Sequence, residues 1–371
     1  MRIVIAPDSF KESMTAPGAA RAMALGAADA LPDAAVELLP VSDGGEGFAR
    51  TLTALRSGEW IEVPTVDALG RPVTAGLGLS GPEGRRSAAL DLAGAAGLER
   101  IRPAERDVMR SSTRGLGLLL RAAMACGAGD AVVGIGGSAT NDMGLGMLAA
   151  LGAAVLDGTG RPVEPVPAAF DRIATIDIDP ARERLAGVDL TVACDVTNPL
   201  LGPSGATAVF GPQKGVNTER VAALDAEIGR LAGLMGLAHR VEDPGAGAAG
   251  GVGFALAAAL GARIVPGFEI VARAAGLEER IADADLVLTG EGAVDAQSLE
   301  GKAVGGVVRA ARRHGVPVMV LAGVLRDGAE RLRAPGVELI EITPPGEPAA
   351  LALARGAVNL RSTVRRALSR R

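Results

Sequence analysis

The residues of this sequence that could do chemistry are mostly carboxylates and lysines in polar, glycine-containing segments. Carboxylates can hold Mg²⁺, lysines can bind phosphate oxygens, and glycine-rich backbone can surround a phosphate; together these are the parts of phosphoryl transfer. The candidate residues are Asp8, Lys11, Asp43, Glu46, Asn141, Asp142, Asp195, Asn198, Lys214, Glu291, Asp295 and Lys302.

The lysines stand out from the background composition. Of the 38 basic residues, 35 are arginine, and the lysines are Lys11, Lys214 and Lys302. Glutamine occurs only at Gln213 and Gln297, each within five residues of a lysine. The rest of the sequence is rich in Ala, Gly and Arg, so the few lysines and glutamines are exceptions. Because arginine does not replace lysine freely at a phosphate, we predict that these residues have chemical roles.

Histidine chemistry is disfavoured. His239 and His314 lie in helix-like contexts, which predicts surface or packing roles and argues against zinc hydrolysis or a histidine-based nucleophile. The sequence contains neither the G-x-x-x-x-G-K-[ST] phosphate loop nor the protein-kinase signature set.

The stretch from Asp130 to Asp157 combines an apolar run, a glycine turn and the start of a helix. Backbone N–H groups at such a helix start can hold a phosphate. The stretch also fits the dinucleotide fingerprint G-x-G-x-x-A from Gly134, with Asp157 about 20 residues further on. A phosphate loop, a structural turn and a nicotinamide-dinucleotide site are all open at this point.

The elements that must position these residues alternate between strands and helices at both chain ends. Strands are predicted at 2–6 and 36–41, and again at 285–289, 317–322 and 337–342. Ligands bind at the carboxyl ends of strands in such sheets, which is where Asp8 and Asp43 fall.

The middle of the chain does not show the same alternation of strands and helices. Residues 60–92 predict antiparallel strands, and a strand at 189–193 leads into Asp195 and Asn198. The glycine-rich segment 244–251 could wrap a phosphate or form a close-packed turn. We therefore predict an α/β protein of two domains: a Rossmann-like parallel-sheet domain formed by 1–66 and 266–371, and an inserted mixed α/β domain at 67–265, with the active site in the cleft between them.

Composition excludes several classes of protein. The net charge of −5 argues against a nucleic-acid partner. The apolar runs are too short to span a bilayer, and two distant cysteines do not form a disulfide framework, so a cytoplasmic protein with no membrane partner is expected. The sequence leaves open a homo-oligomer.

Six segments resemble the bacterial glycerate kinase family, of the glycerate 2-kinase type. They are APDSFKES, SDGGEGF, GIGGSATNDMGLGMLAALGA, CDVTNPLLGPSGATAVFGPQKG, DPGAGAAGGVGFALAAALGA and LTGEGAVDAQSLEGKA, in the family's order and across the whole chain. The resemblance implies two α/β domains and phosphorylation of D-glycerate by ATP with Mg²⁺, giving 2-phosphoglycerate. One departure is Glu12, where the family commonly has glycine.

Loop position and residue type suggest roles within that reaction. Asp195 is the predicted base that takes or orients the glycerate hydroxyl proton, and Lys11 and Lys302 are predicted to neutralise carboxylate or phosphoryl charge. Asp43, Asp295 or both are the predicted Mg²⁺ ligands. The predicted substrate and nucleotide contacts are Asp8, Ser9, Asp43, Glu46, Gly136, Gly137, Ser138, Asn141, Asn198, Lys214, Glu291 and Gln297.

Two alternatives belong to other classes of protein. An NAD-dependent dehydrogenase would use the stretch Gly134–Asp157 but leaves the lysine-bearing loops unexplained. A non-catalytic nucleotide or sugar-acid binding protein would bind the same ligands without turnover, and the intact carboxylate set argues against it.

Overall fold

The computed structural model describes residues 1–299 and 303–370. The strands are β1 Arg2–Ile5, β2 Ala35–Leu38, β3 Glu59–Val66, β4 Pro72–Ser80, β5 Arg86–Asp91, β6 Ala128–Gly134, β7 Ala154–Leu156, β8 Thr175–Asp177, β9 Asp189–Ala193, β10 Arg263–Val265, β11 Leu286–Val294, β12 Val318–Leu325 and β13 Val337–Glu341.

The α-helices cover both ends and the middle of the chain. They are α1 Ala16–Ala30, α2 Phe48–Leu55, α3 Leu92–Ala96, α4 Arg114–Ala125, α5 Leu145–Leu151, α6 Asp179–Arg184, α7 Ala206–Phe210, α8 Val221–Leu234, α9 Ala248–Phe254, α10 Gly267–Ala275, α11 Leu277–Ala282, α12 Ala303–Arg313, α13 Ala349–Ala354 and α14 Gly356–Leu368. Among residues 1–299 and 303–370, no helix is long and apolar enough to cross a membrane.

The chain forms two compact units. The terminal unit comprises residues 1–43 and 268–371, and the central unit comprises 44–267. Residues 44–66, which the sequence analysis assigns to the first domain, lie in the central unit because β3 pairs along its whole length with β4. The domain assignment with an active-site cleft stays a prediction.

The terminal unit contains the parallel sheet predicted from both chain ends. In the described part of the chain its five strands have the order β13-β12-β11-β1-β2, and every pair is parallel. The fully buried β1 residues Ile3, Val4 and Ile5 suit a central strand of such a sheet. In chain order this is the doubly wound arrangement 2-1-3-4-5, whose direction of winding reverses between β1 and β11. The mixed α/β fold class and the five-stranded parallel sheet are confirmed.

Helices α1 and α14 pack closely in the terminal unit. Thr15 caps α1 by accepting the Gly18 N–H, and Pro17 occupies its first turn. A Cβ atom at Gly26 would lie 2.5 Å from the Arg361 carbonyl, so this approach requires glycine.

The central unit is built on a mixed sheet. Within the described residues its order is β10-β9-β6-β5-β4-β3, parallel from β10 to β5 and antiparallel from β5 to β3. The predicted antiparallel strands between residues 60 and 92 are therefore confirmed. Because β5, β6 and β9 are parallel, Asp91, Gly134 and Ala193 come into register at one edge of the sheet.

Strand β11 is longer than the sequence analysis predicts. The predicted strand ends at residue 289, but β11 continues to Val294 and pairs with β12 up to Leu325. The reason is close backbone packing: a Cβ atom at Gly290 would lie 2.0 Å from the Leu321 carbonyl oxygen. Glycine at this position therefore allows the two strands to continue side by side.

Candidate functional site

In the terminal unit, candidate side chains gather where the winding of the sheet reverses. Asp8 follows β1, and its N–H donates to the Gly290 carbonyl of β11 at 2.9 Å. Its own Oδ1 accepts the Ser9 N–H at 2.6 Å. This is the position at which doubly wound sheets bind ligands.

The environment of Asp8 favours its neutral form. Burial and the negative charges of Asp43 and Glu291 raise the pKa of Asp8 well above its ordinary value, against the Ser9 hydrogen bond and the positive charge of Lys11. Asp43, Glu291 and Lys11 therefore lie close enough to Asp8 to affect its charge. Their excess negative charge makes this a suitable place for a cation.

The end of β11 is organised by Ser298. Its hydroxyl donates to Glu291 Oε1 at 2.6 Å and accepts the Asp295 N–H at 3.2 Å. Gln297 lies in the 3₁₀ turn Ala296–Leu299, and Lys302 lies outside the described residues. Within the described ranges, no cluster of three or more His, Cys, Asp and Glu side chains could hold a metal ion.

Glu12 occupies a backbone conformation that favours glycine. Its φ angle is +61°, next to the exposed Lys11. A residue with a Cβ atom costs about 1–2 kcal/mol in this left-handed conformation, mainly through contact with its own carbonyl oxygen.

We predict that Glu12→Gly increases the free energy of unfolding by about 0.5–1 kcal/mol. Chemical denaturation would measure the change. Glu12→Ala is the matched control, since alanine removes the charge and keeps the Cβ atom. An equal gain in both variants would contradict the backbone explanation.

In the central unit, Asp91 holds the loop that carries Glu46. Asp91 Oδ1 accepts the Ala49 N–H at 2.8 Å at the start of α2, and the carboxylate also accepts the Gly47 N–H. Glu46 itself is exposed. Burial raises the pKa of Asp91 to about 7, against these hydrogen bonds, and the charge of Glu46 acts in the same direction as burial.

This pKa predicts a pH-dependent stability. The unfolded chain releases the Asp91 proton near its ordinary pKa of 3.8, whereas the folded protein keeps it to about pH 7. The contribution of Asp91 to the free energy of unfolding therefore falls as pH rises from about 4 to 7. Asp91→Asn should lose this dependence. In urea unfolding, the free energy of unfolding of the variant should therefore rise relative to that of the parent between about pH 4 and pH 7. A constant difference would contradict the assignment.

The helix start after β6 is already occupied by the chain itself. Asp142 accepts the Gly144 and Gly146 N–H groups, each at 3.1 Å, and Thr113 Oγ1 accepts the Met147 N–H at 2.9 Å. The expectation that the first turn of α5 binds an anion is therefore wrong for these N–H groups. The exposed Gly137 and half-exposed Gly136 are the accessible part of the predicted loop.

Three predicted binding residues in the central unit make internal hydrogen bonds. Asn141 is fully buried and donates to Thr207 Oγ1 at 3.0 Å. Ser138 is buried, and its hydroxyl lies 3.3 Å from the Ala249 carbonyl oxygen. Lys214 is buried, and its ammonium donates to the Thr140 carbonyl at 2.7 Å. The structure brings these residues together, in the interior.

Asp195 and Asn198 follow β9 as predicted. Asp195 Oδ1 accepts the Gly267 N–H at 3.0 Å, and Asn198 Nδ2 donates to the Ser204 carbonyl at 2.8 Å. Both side chains are half-buried. Their roles in catalysis and binding stay predictions.

The dinucleotide interpretation does not agree with the topology. Asp157 follows β7, which pairs antiparallel with β8 in a separate sheet and is not the next parallel strand after β6. Its Oδ1 accepts the N–H groups of Thr159 and Arg161 in an exposed turn. The spacing in sequence matched, but the fingerprint requires its acidic residue at the end of the next parallel strand, which is β9, and Asp157 does not lie there.

The sequence analysis does not single out Asp91 and Thr113. Asp91 holds the loop that carries Glu46, and Thr113 holds the loop before α5. Asp91 ends an alternating strand, and Thr113 precedes a helix pattern, so each signal was present. Neither residue lies beside a lysine or in a glycine motif, and their partners are 42 and 29 residues away.

The fold is mixed α/β, and carboxylates and a lysine lie where the parallel sheet of the terminal unit reverses its winding. A sequence profile of the glycerate kinase family matches residues 3–370. The chain is 42% identical to a glycerate kinase of Bacillus subtilis over 98% of its length and 96% of the relative's, and 41% identical to a glycerate 2-kinase of Escherichia coli K12 over 92% and 90%.

A solved structure agrees with these relatives. A Salmonella typhimurium LT2 crystal structure, provisionally described as glycerate kinase 2, superposes with a TM-score of 0.82 at 40% identity, covering 100% of this chain and 98% of that one. This chain belongs to the glycerate kinase family.

Proposed function

We propose that this protein transfers the γ-phosphate of ATP to the C2 hydroxyl of D-glycerate, giving 2-phosphoglycerate and ADP, with Mg²⁺. The observation that carries the proposal is the group formed by Asp8, Asp43, Glu291 and Lys11 where the parallel sheet reverses its winding. Family membership supports a kinase acting on glycerate.

In the proposed reaction, Asp195 takes the hydroxyl proton as the hydroxyl oxygen bonds to the γ-phosphorus. The bond from that phosphorus to the bridging oxygen breaks, and ADP leaves. Lys11 and Lys302 balance the charge of the glycerate carboxylate or of the transferred phosphoryl group.

The nucleotide and metal contacts are proposed from residue type and exposure. The accessible Gly136–Gly137 turn would contact ATP phosphate through the exposed Gly137 backbone, since the Gly136 N–H already donates to the Gly44 carbonyl at 3.2 Å. Asp43 and Asp295 would hold Mg²⁺, because carboxylate oxygens are the ligands that this hard cation prefers. Mg²⁺, when bound, neutralises charge on the phosphates.

The test is turnover with D-glycerate, ATP and Mg²⁺, with the product identified by ³¹P and ¹H NMR. A 2-phosphoglycerate signal is expected. A 3-phosphoglycerate signal would keep the kinase and overturn the position of transfer. ATP binding without ADP formation would overturn the proposal in favour of a non-catalytic binding protein.

A further inference from the structure

Lys214 is a buried lysine in the central unit, 2% exposed, at the end of the 3₁₀ turn Pro212–Lys214. Its ammonium donates to the Thr140 carbonyl at 2.7 Å and lies 3.5 Å from Ser138 Oγ. Removing an ammonium from water costs several kcal/mol, and an apolar side chain of the same length would fill the volume without that cost. Packing alone therefore does not explain a buried lysine at position 214, and we attribute its presence to the hydrogen bonds that its Nζ donates.

The carbonyl that Lys214 binds lies against a strained turn. Ala249, Gly250 and Gly251 lie within the range of α9 but interrupt its helical geometry, with φ angles of 55°, 70° and 91° in succession. A Cβ atom at Gly250 would lie 2.1 Å from the Thr140 carbonyl oxygen, so the two backbones touch. The glycine-rich segment is thus a close-packed turn, the second of its two sequence-based interpretations.

The loop itself also carries strain. Met143 has a φ angle of +54°, and its N–H donates to the Gly250 carbonyl at 3.0 Å. Left-handed conformations of residues other than glycine persist only where surrounding contacts hold them. Here Ser138 supplies one such contact, because its hydroxyl lies between Thr140, Lys214 and the Ala249 carbonyl.

We propose that Lys214 is a positioning residue for phosphoryl transfer: its ammonium locks residues 138–143 against the turn 249–251 and so fixes the accessible Gly136–Gly137 turn. This inference rests on the proposed function, in which the Gly136–Gly137 turn contacts ATP phosphate. Lys214 acts through the loop and makes no contact with substrate.

Two opposing effects act on the charge of Lys214. Burial lowers the pKa of Lys214 to about 7, and the negative charge of Asp142 acts in the opposite direction. Asp142 also accepts the Gly144 and Gly146 N–H groups at the start of α5, so the same carboxylate stabilises the helix start and favours the charged form of Lys214.

The first experiment compares Lys214→Met with the parent protein. Methionine keeps the length of the side chain and removes its donors. Amide hydrogen exchange in residues 134–144 should become faster, and kcat/KM for ATP should fall by about 10²-fold, mostly through kcat, because misplacement of a positioning loop is felt in the transition state.

Arg230→Met is the matched control. Arg230 also anchors backbone carbonyls, donating to Ile173 at 2.8 Å and to Phe170, which belong to another part of the central unit. It should leave exchange in 134–144 and the kinetic constants unchanged. A Lys214→Met protein with parental exchange and kinetics, or with lowered stability alone, would overturn the proposal.

Ser138→Ala keeps the proposal falsifiable if Lys214→Met does not fold, because it removes a single oxygen atom. Faster exchange in 139–143 and a lower kcat are expected, and unchanged values would overturn the proposal. Lys214→Ala adds a chemical test: butylamine should restore activity, and equal rescue by butanol would indicate packing alone. If the parent shows no glycerate-dependent ADP formation, the proposed function fails, while the exchange data still decide whether Lys214 holds the loop.

Discussion

Replacing Asp195 by asparagine is expected to lower kcat for glycerate phosphorylation by about 10²–10⁴-fold, the usual loss when a positioned base is removed. Asparagine has the same shape, and its Oδ1 can still accept the Gly267 N–H that holds Asp195. The loop after β9 should therefore keep its conformation, and KM for glycerate should change little. Steady-state kinetics with a coupled ADP assay would measure both constants.

Asp189→Asn is the matched control for this prediction. Asp189 begins β9, the strand that ends two residues before Asp195, and it is exposed. The same chemical change at the other end of one strand should leave kcat unchanged. Near-normal turnover by Asp195→Asn would remove it as the base, and Asp8, whose pKa is raised, would become the next residue to test.

Replacing Asp142 by alanine is expected to lower the free energy of unfolding by about 3–5 kcal/mol. The reason is that several buried N–H and O–H donors would lose their acceptor at once. Asp142 is fully buried and accepts the Thr113 N–H at 2.7 Å, the Thr113 hydroxyl at 2.8 Å and the Gly144 and Gly146 N–H groups. These bonds connect the starts of α4 and α5. Urea unfolding followed by circular dichroism would measure the loss.

Asp157→Ala tests whether burial of the carboxylate causes the large loss of stability expected for Asp142→Ala. Asp157 Oδ1 also accepts several hydrogen bonds, from the Thr159 N–H and hydroxyl and the Arg161 N–H, but in an exposed turn. Water can replace these bonds, so the loss of stability should be much smaller. Equal losses in the two variants would show that burial does not set the cost of losing the carboxylate.

Local signals in the sequence predicted much of the fold. Strand β9 has the predicted bounds, and the five strands of the terminal unit were recognised from apolar runs followed by polar segments. Such runs predict strands because the order of apolar and polar residues is a property of neighbouring positions in the sequence. Strand β11 was predicted too short because its glycines respond to the adjacent backbone of β12, which no local pattern contains.

The sequence by itself determined the family, the two α/β sheets and the importance of the lysine- and glycine-bearing segments, because motifs and periodicity are local properties. Only the tertiary structure decided which candidate groups are accessible. It placed Lys214 and Asn141 in the interior and showed that Asp142 caps the helix expected to bind an anion. Burial and hydrogen-bond partners depend on residues distant in sequence, such as the Thr140 carbonyl that Lys214 binds 74 residues away.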